Sequence, residues 1–440
     1  MFKVVLPLSI VIFFRFFGLF IVLPVLSIHL ATMPNTSALL IGVAMSGYAL
    51  TQMLLQAPFG YLSDKFGRKS IIIFGTLLFI AGSYVCYISE DIYTLILGRL
   101  LQGAGAVAAV ISALVADLVK EELRFKAMAL IGGSIAIGFS IAMVAGPVIN
   151  SLYNVNMLFL ISATLGVISI FIVVFKVPTP PKVVHHYNSK PDLKSILTNP
   201  SLVIMNITNF LQKGIMTFTF VLVPIYLINH FSWDKSELFY VYLPATLLGV
   251  LAMGPAAVIA EKKQKPKLPL FAGIVLFALA YVAMSVGEST QMESLFILGV
   301  VLFFIGFNTH EPIMQSLTSK MSKVHQKGLS LGIFNTFGYF GTFLGGILGA
   351  LVIQEEWMST FATVFVLISI VWVILIAKMK NPAQSKNLYL PLASLTKTLD
   401  KDALSKSEGL IEWYTNDTEQ ILVIKYDAVI TTEDKIKQML

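Results

Sequence analysis

Four charged residues lie well inside long apolar stretches of this 440-residue chain: Arg15, Arg99, Lys213 and Glu311. A charge at the centre of a bilayer costs at least about 2.5–3.5 kcal/mol on insertion scales, so such a residue faces a cavity or a partner. Glu311 is the only carboxylate among them. Low dielectric favours a neutral acid, so a carboxyl in this setting can load a proton on one side of a membrane and lose it on the other. Lys213 is its candidate partner. If the two pair, protonating Glu311 leaves the ammonium unpaired and couples the proton to a rearrangement; the alternative is a static tie between two helices. Arg15 joins them as a proton-coupling candidate on the same cost argument. Arg15 and Arg99 lack an acidic partner in their own half of the chain, which leaves backbone carbonyls, an anionic substrate or snorkelling. Snorkelling suits Arg99, nearer a span end, better than Arg15. His310 adjoins Glu311, but neighbours on a helix diverge by about 100°. Gln52, Gln56, Asn206, Asn209, Asn308 and Asn335 either line a cavity or bond between helices.

A second cluster is Gly60-Tyr-Leu-Ser-Asp64-Lys-Phe-Gly67-Arg68-Lys69. Two glycines bracket a tight turn. Asp64 can accept backbone N–H groups or face a helix N-terminus. Asp117, at the end of a later apolar block, can pair with Arg68. Such a cluster can latch helix ends in one state and release them in another.

The elements that must position these residues are membrane spans. Of the chain, 56% is apolar and 12% charged, against roughly 25% charged in soluble domains. The apolar residues fall in blocks long enough to cross a ~30 Å hydrocarbon core, over 4–28, 38–58, 70–89, 92–118, 124–150, 154–177, 201–229, 236–260, 267–287, 293–318, 327–352 and 356–379. A transmembrane barrel would instead alternate in ten-residue segments. The first block is too long for a signal peptide and lacks a cleavage site. With the N-terminus in the cytoplasm, the short cytoplasmic loops hold Lys65, Arg68, Lys69, Lys120, Arg124, Lys126, Lys262, Lys263, Lys265, Lys267, Lys320, Lys323 and Lys327; the opposite loops hold only Lys235. Both termini are therefore expected in the cytoplasm. The formal charge of +7 serves topology, so no nucleic-acid partner is expected.

A proline-rich loop over 178–200 divides the spans six and six, giving segments 1–177 and 201–380. Phe20-Ile-Val-Leu-Pro24 recurs as Phe220-Val-Leu-Val-Pro224, and Lys126-Ala-Met-Ala-Leu as Lys327-Gly-Leu-Ser-Leu. The offsets are 200 and 201 residues, which suggests duplication. Residues 386–440 are polar. Leu388, Leu390 and Leu392 alternate, as do Leu422, Ile424 and Tyr426, which predicts strands. Helices are expected over 394–407 and 432–440, with Thr432 as a cap. Gly409 and Asn416-Asp417 punctuate a small cytoplasmic α+β domain. Cys86, the single cysteine, rules out an intrachain disulfide and a cysteine metal pair. No Walker loop supports ATP-driven transport, no nucleophile and base are arranged for catalysis, and no cofactor is expected.

The loop from Gly60 to Lys69 resembles the signature loop of the major facilitator superfamily, with Ser63 and Lys65 as departures. Leu95, Arg99, Gln102, Gly103 and Gly105 resemble the family's fourth-helix motif, associated with proton coupling. Phe17-Gly18 and Pro24-Val25 resemble the first-helix motif of twelve-span drug exporters, with Ser27 in place of a proline. Gly133, Gly146 and Pro147 resemble the fifth-helix antiporter motif, with Ala142 and Asn150-Ser151 as departures. The resemblance implies an all-α membrane fold of six plus six helices and a ferredoxin-like tail. It also implies a bacterial inner-membrane carrier, working as a monomer, that exports a small, mostly apolar solute against protons. A regulator could bind the tail. An uptake symporter of a polar metabolite and a membrane sensor signalling through the tail are the rival readings.

Overall fold

The computed structural model describes residues 2–179, 193–323, 326–381, 385–392, 408–416 and 420–439. Twelve of its helical segments are long and apolar enough to cross a bilayer. The first crossing is α1 (Phe2–Phe20) with α2 (Leu23–Ala31), followed by α3 (Ala38–Phe66) and α4 (Arg68–Tyr87). The fourth is α5 (Ile92–Ala104) with α6 (Ala108–Leu118), followed by α7 (Glu121–Leu152) and α8 (Val155–Lys176). After the short α9 (Leu193–Thr198) come α10 (Pro200–Asn229), α11 (Leu238–Ala257), α12 (Lys267–Ser289), α13 (Glu293–Met321), α14 (Lys327–Gln354) and α15 (Met358–Lys378). A π-helical turn over Val258–Lys262 extends α11.

Helix starts follow local chemistry. Asp91 accepts N–H groups of Tyr93 and Thr94 at 2.9 Å each, and Asn154 accepts that of Met157 at 3.0 Å. Asn199 caps α10 ahead of Pro200. Each satisfies donors that a helix N-terminus leaves orphaned. The Asp91 carboxyl also accepts the Thr94 hydroxyl, and these bonds hold it below the usual carboxylate range.

Three features differ from the hydropathy reading. Helix α3 runs to Phe66 rather than 58, because a helix needs no apolar side chains once it leaves hydrocarbon; it stops at Gly67, whose φ of 92° turns the chain. The first crossing breaks before Pro24, which has no N–H to offer the carbonyl four residues back. Gly146 of α7 presses on that break, where a Cβ would meet the Ile21 carbonyl and the Pro24 ring. The fourth crossing breaks at Gly105, whose missing side chain admits the Gly75 carbonyl of α4.

An even number of crossings brings both chain ends to one side, here the tail side; the other is the far side. The first six spans meet the last six along a seam where α3 packs on α14, α2 on α10, and α7 on α11 and α13. On the far side the seam is tight. A Cβ on Gly42 would lie 2.7 Å from the Ile347 backbone, and Ser46 Oγ donates to the Phe343 carbonyl at 3.0 Å. Toward the tail side it is open: a Cβ on Gly132, Gly133 or Gly332 would meet nothing within 4 Å.

Beyond α15, strands β1 (Ser385–Pro391), β2 (Leu410–Asn416) and β3 (Ile421–Asp427) form a sheet in the order β1-β3-β2, with both outer strands antiparallel to β3. The period-two residues behave as expected: Leu388, Leu422, Ile424 and Tyr426 pack with Ile436 of α16 (Glu433–Met439). Gly409 enters β2 at φ 88°. The helix expected over 394–407 and most of the 178–200 loop lie outside the described residues. The other sheet face carries Ile421, Val423 and Lys425. Lys425 is buried and donates to the carbonyls of Lys320 at 2.7 Å and Ser322 at 2.6 Å, at the C-terminus of α13. An ammonium there satisfies carbonyls the helix leaves orphaned.

Two outcomes are expected. Lys425→Met should release this unit from α13, read as faster proteolytic cleavage after residue 380. Gly103→Leu should destabilise the detergent-solubilised protein by about 1–3 kcal/mol through overpacking, read by thermal unfolding, because a Cβ at Gly103 would meet the Tyr48 carbonyl and Thr51 hydroxyl of α3.

Candidate functional site

Helices α10 and α13 bring Lys213 and Glu311 together midway through the bundle. Lys213 Nζ donates to Glu311 Oε1 at 2.9 Å and Oε2 at 2.8 Å. Gln212 Nε2 donates to the same Oε2 at 3.0 Å. Lys213 also lies 5.0 Å from the centre of the Phe307 ring. The side chains are 19% and 13% exposed, so the pair is reachable and not sealed in the core. A small pocket at the seam is lined by Phe20, Ile135, Ala136, Phe139, Lys213, Phe307 and Glu311. Phe139 of α7 crosses the seam to Phe307 at 4.8 Å and Phe220 at 5.7 Å between ring centres. The pocket is thus apolar with one ion pair. Gly133, where a Cβ would meet nothing within 4 Å, lies one helical turn from Ala136, on the tail side of this pocket.

The other intramembrane charges are apart from that pair. Arg99 does not snorkel. It is fully buried, and donates to the Ala44 carbonyl at 3.2 Å, the Met45 carbonyl at 3.1 Å and Gln102 Oε1 at 2.8 Å. Gln102 in turn donates to Ser83 Oγ at 2.8 Å. The fourth-helix motif therefore knits α3, α4 and α5 together, with Gly103 and Gly105 allowing the close approach. Arg15 is buried with its guanidinium carbon 5.2 Å from the Phe79 ring centre, and among the described residues its Nε and Nη2 have no hydrogen-bond partner.

Arg68 gathers the tail-side cluster. Its Nε donates to Asp117 Oδ2 at 2.9 Å, and its Nη1 contacts Asp64 Oδ1 at 2.5 Å and Ser63 Oγ at 2.6 Å. Lys69 Nζ donates to the Val177 carbonyl at 2.8 Å, while Gly60 and Gly67 face open space around the turn. These contacts all fall within the first six spans. Asp64 is 65% exposed, and among the described residues no backbone N–H donates to its carboxylate.

The polar residues divide. Gln52 Nε2 crosses the seam to the Tyr339 hydroxyl at 2.8 Å. Gln56 is buried with neither amide atom bonded among the described residues. Asn209 donates to the Phe334 carbonyl at 2.7 Å, and Asn308 to the Phe304 carbonyl at 3.0 Å within its own helix. Asn206 is buried, and Asn335 is half-buried on α14. His310 turns away from Glu311 to the Leu270 carbonyl at 2.8 Å, as the 100° divergence requires. On α7, Gly146 and Pro147 flank the broken first crossing, and Gly133 faces open space. Sequence reasoning missed Gln212, Phe307, Phe139 and Tyr339. Phe307 was findable one turn before Glu311; Phe139 and Tyr339 come from other spans and carry no such signal.

The twelve-span fold is that of a membrane carrier, and the chain belongs to the major facilitator superfamily, whose family model matches residues 8–346 and 270–403. It is therefore a multi-pass membrane transporter and not an enzyme. It is 34% identical to the inner membrane transport protein YajR of Escherichia coli, over 96% of this chain and 94% of that one. It is 25% identical to the quinolone resistance protein NorA of Staphylococcus aureus, over 77% of this chain and 87% of that one. The crystal structure of a D-xylose-proton symporter superposes with a TM-score of 0.73 at 12% identity, covering 87% of this chain and 98% of that one.

Breaking one side of the Lys213–Glu311 pair leaves a desolvated charge. Lys213→Met is expected to destabilise the protein by about 3 kcal/mol, and adding Glu311→Gln should recover most of the loss. Chemical unfolding of the three variants checks the coupling.

Proposed function

We propose that this protein is a proton-driven exporter of a small, mostly apolar solute, working by alternating access in a bacterial inner membrane as a monomer. The observation that carries the reading is the Lys213–Glu311 pair facing an aromatic pocket at the seam. The basic bias of the tail-side loops supports a cytoplasmic tail side and two cytoplasmic termini. The arrangement described is then open to the cytoplasm and closed outside. Glu311 paired with Lys213 fits a carrier that has given up its proton inside and awaits solute. In the opposite state Glu311 takes a proton from outside. Its charge disappears, and Lys213 is left against Phe307 with only Gln212 nearby, which is costly in low dielectric. Return to the inward state, with proton release, restores the pair. Arg15 adds a fixed positive charge at the same depth. The names of NorA and of the multidrug resistance protein MdtH of Klebsiella pneumoniae support export and drug-like solutes.

In this reading the Asp64/Arg68/Asp117 cluster is assembled on its own half now. Exposed Asp64 is free to meet the tail-side start of α14, where Gly328 and Gly332 leave space, when the halves close. Segments 1–177 and 201–380 act as the two rocking halves, joined by 178–200. The β1-β3-β2 order supports a ferredoxin-like unit in 386–440, a fit seat for a regulator.

The test is reconstitution in liposomes with an interior pH dye and a screen of amphiphilic cations, neutral drugs and sugars. Glu311→Gln should abolish solute-dependent proton flux; unchanged flux would make Glu311 structural. Arg68→Glu should slow transport at least about tenfold, roughly 1.4 kcal/mol, by unmaking the latch.

A further inference from the structure

We infer that the transported solute carries an anionic group and that Arg15 binds it. The inference rests on the carrier reading and adds the charge of what is carried. Arg15 and Arg99 lie in the same half, and both are buried, at 4% and 0% exposure. Arg99 is fully provided for by two backbone carbonyls and Gln102. Arg15 has a phenyl face on one side and, among the described residues, no acceptor for Nε or Nη2. Among the described residues no acid pairs with it. Glu311 is the single carboxylate well inside the spans, and its oxygens are taken by Lys213 and Gln212. Three cations against one carboxylate make the membrane interior of this chain positive. A low-dielectric site of one sign concentrates ligands of the other.

A buried cation without a partner is expensive, and buried polar groups without partners call for an explanation. Here several occur together. Tyr339 of α14 is near enough to Arg15 to feel its charge. Its hydroxyl accepts from Gln52, whose Oε1 has no partner among the described residues. Gln56, one turn along, offers an unbonded Nε2 and Oε1. Beside the guanidinium is a pocket with room for about one water, lined by Val11, Thr76, Phe79, Val107, Gly166 and Ser169. One water cannot replace a counter-ion. A carboxylate or similar oxyanion can, because the guanidinium fork matches it with two parallel N–H bonds. The Gln52–Tyr339 bond crosses the seam, so parting of the halves uncovers the Arg15 side. The solute is therefore an organic anion whose head meets Arg15 and whose apolar body lies against the seam phenylalanines. Its anionic head at Arg15 and the proton at Glu311 are held by opposite halves.

The experiment is equilibrium binding to the full-length protein in nanodiscs, at neutral pH and low salt. The probes are 2-naphthoate and 2-naphthylmethylammonium, which share a ring system and differ in charge. The expected result is at least about tenfold tighter binding of the naphthoate, lost in Arg15→Gln and partly kept in Arg15→Lys. Equal binding of the probes, tighter binding of the amine, or a naphthoate preference that survives Arg15→Gln would each overturn the inference. A chloride titration separates a resident inorganic ion: if chloride alone blocks naphthoate at micromolar levels, Arg15 holds a structural anion and the solute assignment fails. Arg15→Gln should unfold at the same or a higher temperature than the parent, since it removes an uncompensated charge. A large loss of thermal stability with unchanged binding would mark Arg15 as structural. Solute-dependent proton flux reads Glu311 and the preference for naphthoate over the amine reads Arg15, so loss of proton coupling and loss of anion preference are told apart.

Discussion

The expense of charge in hydrocarbon governs this protein. Glu311 is stable at mid-bundle only because Lys213 and Gln212 occupy its oxygens. In the proposed carrier that dependence makes the site responsive: neutralising the carboxyl with a proton would alter the balance that holds α10 and α13 together. The partial exposure of the pair matters as much as its geometry. A sealed pair would be a rivet, whereas a partly exposed one at the edge of a pocket suits the proton exchange proposed for it.

The seam has an asymmetric construction. On the far side it is built from glycine and serine, with Gly42 and Gly346 in near backbone contact and Ser46 bonded to the Phe343 carbonyl. Small residues let helices approach closely where no hydrophobic force drives them together in lipid. At mid-depth, aromatic rings and the Gln52–Tyr339 bond take over. Toward the tail side, Gly132, Gly133 and Gly332 face empty space. The rigid parts lie elsewhere. The Arg99–Gln102–Ser83 network fixes α5 against α3 and α4 within one half, so that half can move as a body.

The tail-side cluster belongs to that same economy of contacts. Arg68 satisfies two carboxylates and a hydroxyl without reaching the other half. The C-terminal sheet instead seats Lys425 on the last carbonyls of α13, the helix that carries Glu311. The polar networks of each half are thus largely self-contained.

Much of this was written in the residues. Twelve apolar blocks, the basic bias of alternate loops and the near-200-residue repeat specify the crossings, because a bilayer imposes a length and a polarity that single residues must obey. The Arg68–Asp117 pair and the strands around Leu388 and Ile424 were legible for similar local reasons: motif spacing and period two. Other features needed the assembled fold. Pro24 was visible, but its break in the first crossing is set against Gly146, over a hundred residues away. Arg99 read as a candidate for snorkelling, yet its carbonyl partners sit on α3, where only helix packing could bring them. Likewise, sequence marks Arg15, Lys213 and Glu311 as expensive charges, but it does not say which two meet. Tertiary structure decided that, because pairing depends on which faces of distant helices share a depth, and no local spacing encodes it.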